Sequence, residues 1–169
     1  RDGTINRHIG FLRKPEELEL LPGAAEAIKR INESGYLAIV VTNQPVIARG
    51  EVTVEGLDLI HMKLETELGR QGAYIDGLYY CPHHPDKGFE GEVKELKIDC
   101  DCRKPKPGLL LRAAQDFNID LSNSWMVGDG KNDVLAGKAA GCKTVLIGEG
   151  DFGQNLSVAD LKSAVDRIV

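Results

Sequence analysis

The residues of this chain that could do chemistry gather in four short segments. These are Arg1-Asp2-Gly3-Thr4, Thr42-Asn43-Gln44-Pro45, Arg103-Lys104-Pro105-Lys106-Pro107-Gly108 and Gly128-Asp129-Gly130-Lys131-Asn132-Asp133. Two supply carboxylates, one a hydroxyl and amides, and one cations. A phosphate ester and a divalent cation need that combination together. Carboxylate oxygens suit Mg²⁺, which binds through one or two carboxylates plus a phosphate. Lys and Arg stabilise phosphoryl oxygens as charge shifts in the transition state. Each segment alone has an ordinary reading as a turn, a helix start or a solvated basic loop, so the weight lies on their joint occurrence. No Walker-type glycine loop is present.

A second constellation lies in CPHHPDKGFEGEVKELKIDCDC, residues 81–102. Cys81, His83, Cys100 and Cys102 offer three thiolates and one imidazole, a full tetrahedral set for a structural Zn²⁺ with no open position. Thiolates argue against Mg²⁺ here. The intervening loop is polar and has no apolar run of its own, so a metal would give it a reason to be ordered. The alternatives are a disulfide between two of the three cysteines, and His84 in place of His83 as the imidazole. Cys142 reads as a small buried hydrophobe.

These groups need elements to hold them. YLAIVVTN, DGLYYCP, SWMVGD and KTVLIGE read as buried strands. Helical stretches alternate with them: PGAAEAIKRINESG, TVEGLDLIHMKLETELGRQG, KPGLLLRAAQDFNI and KNDVLAGKAAG, with an amphipathic helix near Val158–Val169. In the first, Ala24, Ala27, Ile28 and Ile31 are the apolar positions. In the second, Leu57, Ile60, Leu64 and Leu68 share one face. The alternation predicts an α/β fold, a Rossmann-like, mostly parallel sheet with helices on both faces. All four chemical segments then follow predicted strands or lead from one to the next helix, at the carboxyl edge where such folds bind ligands. One domain over residues 1–169 is expected from the length. A net charge of -5 argues against a broad nucleic-acid surface. No apolar run approaches the roughly 18 residues of a membrane helix, and no signal-peptide pattern is seen, so a cytoplasmic setting is expected, which disfavours the disulfide.

In these segments the chain resembles the haloacid dehalogenase superfamily of phosphatases, most of all the branch holding heptose bisphosphate and histidinol-phosphate phosphatases. The resemblance runs from Arg1 to about Gly148. The family's first motif is Asp-x-Asp-Gly-Thr, of which Arg1-Asp2-Gly3-Thr4 matches the last four positions. It implies that the nucleophilic Asp stands immediately before Arg1, at the end of a first, central strand not included in residues 1–169. That Asp would form an aspartyl-phosphate. Asp2 would protonate the leaving alcohol and then deprotonate the hydrolytic water, and its main-chain carbonyl would touch Mg²⁺. Thr42 would hold a phosphoryl oxygen, Lys104 would neutralise charge at the nucleophile, Asp129 would bind Mg²⁺, and Asp133 would brace the site from behind. The resemblance also favours His83 over His84 as the zinc ligand.

The substrate implied is a small phosphorylated sugar, most of all a heptose bisphosphate. Histidinol phosphate is the alternative, and an inert or binding domain of the same fold a further one. No cap-sized insertion follows the first motif or TNQP. Specificity should then come from loops near His8, Ile9, Gly10 and Phe11, from Pro45 to Arg49, and from the zinc loop, with Arg1, Asn43, Gln44, Arg49 and Arg103 as substrate contacts. Two departures from the family are Pro45-Val46 after TNQ, and Gly130 directly after Asp129, with Lys131 one residue on. TNQPVIARG also resembles phosphatase domains fused behind a sugar-1-phosphate nucleotidyltransferase, which implies such an enzyme as a fused or associated partner.

Overall fold

The computed structural model describes residues 1–169. In chain order it holds α1 (Ala24–Glu33), β1 (Ile39–Asn43), α2 (Val54–Gly69), β2 (Gly77–Cys81), α3 (Gly108–Phe117), β3 (Trp125–Gly128), α4 (Lys131–Ala140), β4 (Lys143–Ile147), β5 (Leu156–Val158) and α5 (Leu161–Ile168). All strand pairs are parallel. Ile39 to Asn43 run beside Gly77 to Cys81, β3 pairs β4, and β4 pairs β5. The four expected strands and five expected helices are all present. The tail differs in one respect: Leu156–Val158 forms a short edge strand, and the last helix starts only after Asp160, whose carboxylate accepts the Ser163 N–H at 2.7 Å. Three residues are too few for alternation to register as a strand, whereas the helical pattern around them is strong.

Successive strand residues point to opposite faces, and the core divides accordingly. Val40 joins a cluster with Ala27 and Ile28 of α1, Ile60, Leu64 and Leu68 of α2, and Leu161 and Val165 of α5. Val41 faces the other way, to Cys81, Leu109 of α3, Met126 and Cys142. Helices thus cover both faces. Leu57, Ile60, Leu64 and Leu68 are all fully buried, as one apolar stripe of α2 predicts. Thr53 starts that helix by accepting the Gly56 N–H at 3.0 Å.

The strands form two ladders, β1-β2 and β3-β4-β5, with no pairing between β1 and β3. Between those two edges runs an apolar cavity of about 360 Å³, bordered by Val40 and Val41 on one side and Met126 and Val127 on the other, with Arg1, Thr4 and Ile5 among its lining residues. No helix of the chain is long and apolar enough to cross a membrane.

Candidate active site

The carboxyl ends of β1 and β3, the start of the chain and the loop before α3 converge on a polar cleft of about 320 Å³. From the first segment it takes Arg1, Asp2, His8, Gly10 and Phe11. The β1 end adds Thr42, Asn43 and Gln44, the loop adds Lys104, and the β3 end adds Asp129 to Asp133. Segments far apart in sequence therefore meet because parallel strands place their carboxyl ends along one edge.

Asp2 is held on all sides. The Arg1 guanidinium donates to its carboxylate at 2.8–3.1 Å, Asn6 Nδ2 at 2.9 Å and Gln44 Nε2 at 3.0 Å. Gln44 Nε2 also donates to Thr42 Oγ1 at 3.0 Å. Burial works against the charged form of Asp2, but the Arg1 charge and the Asn6 hydrogen bond outweigh it and hold the carboxyl below the usual range. Asp2 thus starts as an oriented carboxylate beside the Thr42 hydroxyl.

Asp129 is the opposite case. Burial and the nearby Asp133 charge push its carboxyl upward. It pairs with no cation and accepts no hydrogen bond from another side chain. Gly3, with φ +76°, packs so close that a side chain there would collide with the Asp129 carboxylate. A carboxylate exposed at the cleft with no protein cation beside it is suited to a hard divalent cation. Asp133 is committed elsewhere. Its Oδ1 accepts Lys104 Nζ at 2.6 Å and its Oδ2 accepts the Gly130 N–H at 3.1 Å. Any side chain on Gly128 would strike Asp133. Lys104 Nζ also donates to the Val41 carbonyl at 3.0 Å. Asn43 grips the Lys104 backbone, accepting its N–H at 3.0 Å and donating to its carbonyl at 3.1 Å.

Cys81, His83, Cys100 and Cys102 come together with one ligand atom from each within 4.8 Å of all the others. Sulfur–sulfur separations are 3.1, 3.3 and 3.5 Å, and His83 Nδ1 lies 3.3 Å from Cys102 Sγ and 3.6 Å from Cys81 Sγ. No disulfide joins any of the chain's four cysteines in this structure. With metal–sulfur bonds of about 2.3 Å, a tetrahedral edge is about 3.8 Å, so a slight expansion of the cluster admits a cation. Burial and the Cys102 and Cys100 sulfurs push the Cys81 thiol up, a penalty that a bound cation reverses. His84 lies outside the cluster; its Nδ1 accepts the Asp86 N–H at 3.1 Å.

Three expected substrate contacts lie away from the cleft lining. Ile9 is exposed, Arg103 donates to the His83 carbonyl at 3.2 Å, and Arg49 stacks between two phenylalanine rings. Conversely, Asn6, fully buried against Asp2, had no signal beyond its place after DGTI. Lys131 and Asn132 also line the cleft, at the start of α4. His61 of α2 was hidden in an apolar face. It is buried, its Nε2 lacks a partner, and burial together with the Arg1 charge lowers it to about 4.

The HAD-hydrolase-like family model matches residues 101–168. The chain is 42% identical over 151 residues to the D-glycero-beta-D-manno-heptose-1,7-bisphosphate 7-phosphatase of Pasteurella multocida, covering 89% of this chain and 79% of that one. The Escherichia coli K12 protein of the same name is 40% identical, over 99% of this chain and 91% of its own. Among solved structures, the D,D-heptose 1,7-bisphosphate phosphatase from B. bronchiseptica, complexed with magnesium and phosphate, superposes with a TM-score of 0.85 at 30% identity, over 99% of this chain and 94% of that one.

Proposed function

This chain belongs to the haloacid dehalogenase-like hydrolases and is one of their phosphatases, and from that premise we propose that it removes the 7-phosphate of a heptose 1,7-bisphosphate. The observation that carries the substrate is likeness at about 40% identity, over nearly the whole chain, to relatives bearing that activity in their names.

In this reading the attacking carboxylate belongs to the residue before Arg1, at the end of a strand that fills the apolar slot between β1 and β3. It displaces the sugar alcohol from phosphorus, and a phosphoryl-aspartate forms. Asp2 gives the departing oxygen its proton and later takes one from the attacking water. The Arg1, Asn6 and Gln44 contacts hold Asp2 charged, which suits the second step. For the first, a phosphate dianion entering beside Asp2 raises its affinity for a proton. Thr42 donates to a phosphoryl oxygen, and Lys104, locked by Asp133 and Asn43, faces the charge that gathers there. Asp129 and the Asp2 carbonyl would hold Mg²⁺, which would supply neutralisation of phosphate charge. The Cys81, His83, Cys100 and Cys102 set would hold a structural Zn²⁺.

The test is phosphate release by the polypeptide carrying its upstream strand. Turnover of heptose 1,7-bisphosphate far above that of histidinol phosphate is expected. The reverse preference would overturn the substrate, and no turnover of either with both metals bound would overturn the reading as a phosphomonoesterase.

A further inference from the structure

We propose that Arg49 is a positioning residue: clamped between Phe11 and Phe89, it fixes the aromatic wall of the cleft to the Cys81–Cys102 loop. Its guanidinium carbon lies 4.6 Å from the centroid of each ring. The two rings come from different places. Phe11 lines the catalytic cleft, whereas Phe89 sits at the middle of the cysteine-bounded loop. Arg49 forms no ion pair with any carboxylate, and its Nε is buried without a hydrogen-bond partner. A planar cation set over two aromatic rings is held by them.

The surroundings make the clamp stiff. The Val93 N–H donates to the Ala48 carbonyl at 2.9 Å, and Gly50 sits so close to the Gly91 carbonyl that no side chain fits. Gly50 also has φ +70°, where L side chains are disfavoured. Glu92 fixes the other end, accepting the N–H groups of Gly88 and Phe89 at 3.0 and 3.1 Å. Lys97, buried, puts its Nζ 4.6 Å from the Phe89 centroid and 3.6 Å from Glu92 Oε2, and the His84 ring meets Phe89 edge-on at 6.5 Å. Phe89 is thus a hub of the loop, and Arg49 is the link that carries its position to Phe11 and so to the cleft.

The proposal rests on the phosphatase reading of the cleft but not on the identity of the sugar. It is tested on the polypeptide carrying its upstream strand, comparing wild type with Arg49→Lys, Phe89→Leu and the double variant. Lysine keeps the charge and loses the planar contact with both rings. Each single change should raise KM for a sugar bisphosphate about tenfold while kcat moves less than about twofold, the pattern of lost ground-state positioning. Hydrolysis of a small aryl phosphate should barely change. The double variant should be no worse than the poorer single one, because both changes open one clamp. Amide exchange at His8–Arg13 should quicken in Phe89→Leu, although the substitution lies in another loop. Phe89→Tyr, which keeps a ring, should restore both readouts, and it serves where leucine fails to fold. Additive losses, or unchanged exchange at His8–Arg13, would overturn the clamp. A wild type that ignores sugar bisphosphates defeats the substrate reading, and exchange at His8–Arg13 then decides the clamp alone.

Discussion

Two carboxylates share this cleft, and their surroundings drive them apart. Asp2 is held charged by Arg1 and Asn6 against its burial, while Asp129 is pushed toward neutrality by burial and by Asp133. Their loss should therefore differ in kind. Asp129→Asn should weaken Mg²⁺ binding, with partial recovery at high Mg²⁺. Asp2→Asn leaves the main-chain carbonyl in place, so Mg²⁺ affinity should hold while turnover falls by about 10²–10⁴-fold, less so with an aryl phosphate. Metal titration of the two variants checks this; equal rescue of both by excess metal would remove Asp2 from proton transfer. At this scale, residues inside a motif were legible: Asp2, Thr42, Lys104, Asp129 and Asp133 all meet at the cleft. Asn6 and His61 were not, because a lone amide or imidazole carries no spacing. Asn43, expected to touch substrate, lines the cleft and also holds the Lys104 backbone through both ends of its amide.

Among elements, the decisive joint ties the loop before α3 to α4. Asp133 accepts from the Gly130 N–H at the helix start and from Lys104. Both side chains of the ion pair are only about a tenth exposed (10% and 12%). Lys104→Met strands a buried carboxylate and should cost about 3 kcal/mol of stability as well as all turnover. Adding Asp133→Asn, which keeps an acceptor for the Gly130 N–H, should restore part of the stability and none of the activity. Urea melts of the single and double variants measure the difference, and additive destabilisation would show that the charge pair is not the cause. The Cys81–Cys102 loop should depend on metal in its own way. Protein kept reduced should carry close to one Zn²⁺ per chain, and Cys100→Ser should lose it and speed amide exchange from His83 to Arg103. Elemental analysis finding no zinc would remove the site. Strands and helices were legible because each carries several turns or alternations of pattern, whereas β5, with three residues, carries none.

For the whole molecule, the parallel order of strands followed from alternation, but the gap between β1 and β3 did not, since periodicity reports which face is buried and not which neighbour a strand has. The interior also holds an acid-sensitive group. His61 is lowered from 6.5 to about 4, first by burial and then by the Arg1 charge. Between those values the unfolded chain binds a proton that the folded chain refuses. Stability is therefore full above about pH 6.5 and is lost as pH falls toward 4, by up to about 1.4 kcal/mol per pH unit from this one group. His61→Leu should flatten that slope, as denaturant melts at pH 7.5 and pH 5 would show; an unchanged slope would move the acid sensitivity to other groups.

The loop bounded by the two cysteine pairs leaves the fold at Cys81, the last residue of β2, and returns at Cys102, two residues before the anchored Lys104. Its ends meet at the Cys81, His83, Cys100 and Cys102 cluster, and a metal held there would fix them while most of the interior varied. With such a metal in place, Pro85–Lys97 would be a cassette, exchangeable between relatives as a way to retarget the enzyme. Phe89 would have to travel with its partners, since a graft that brings a new loop but breaks the grip on Arg49 would arrive with the right sequence and the wrong posture.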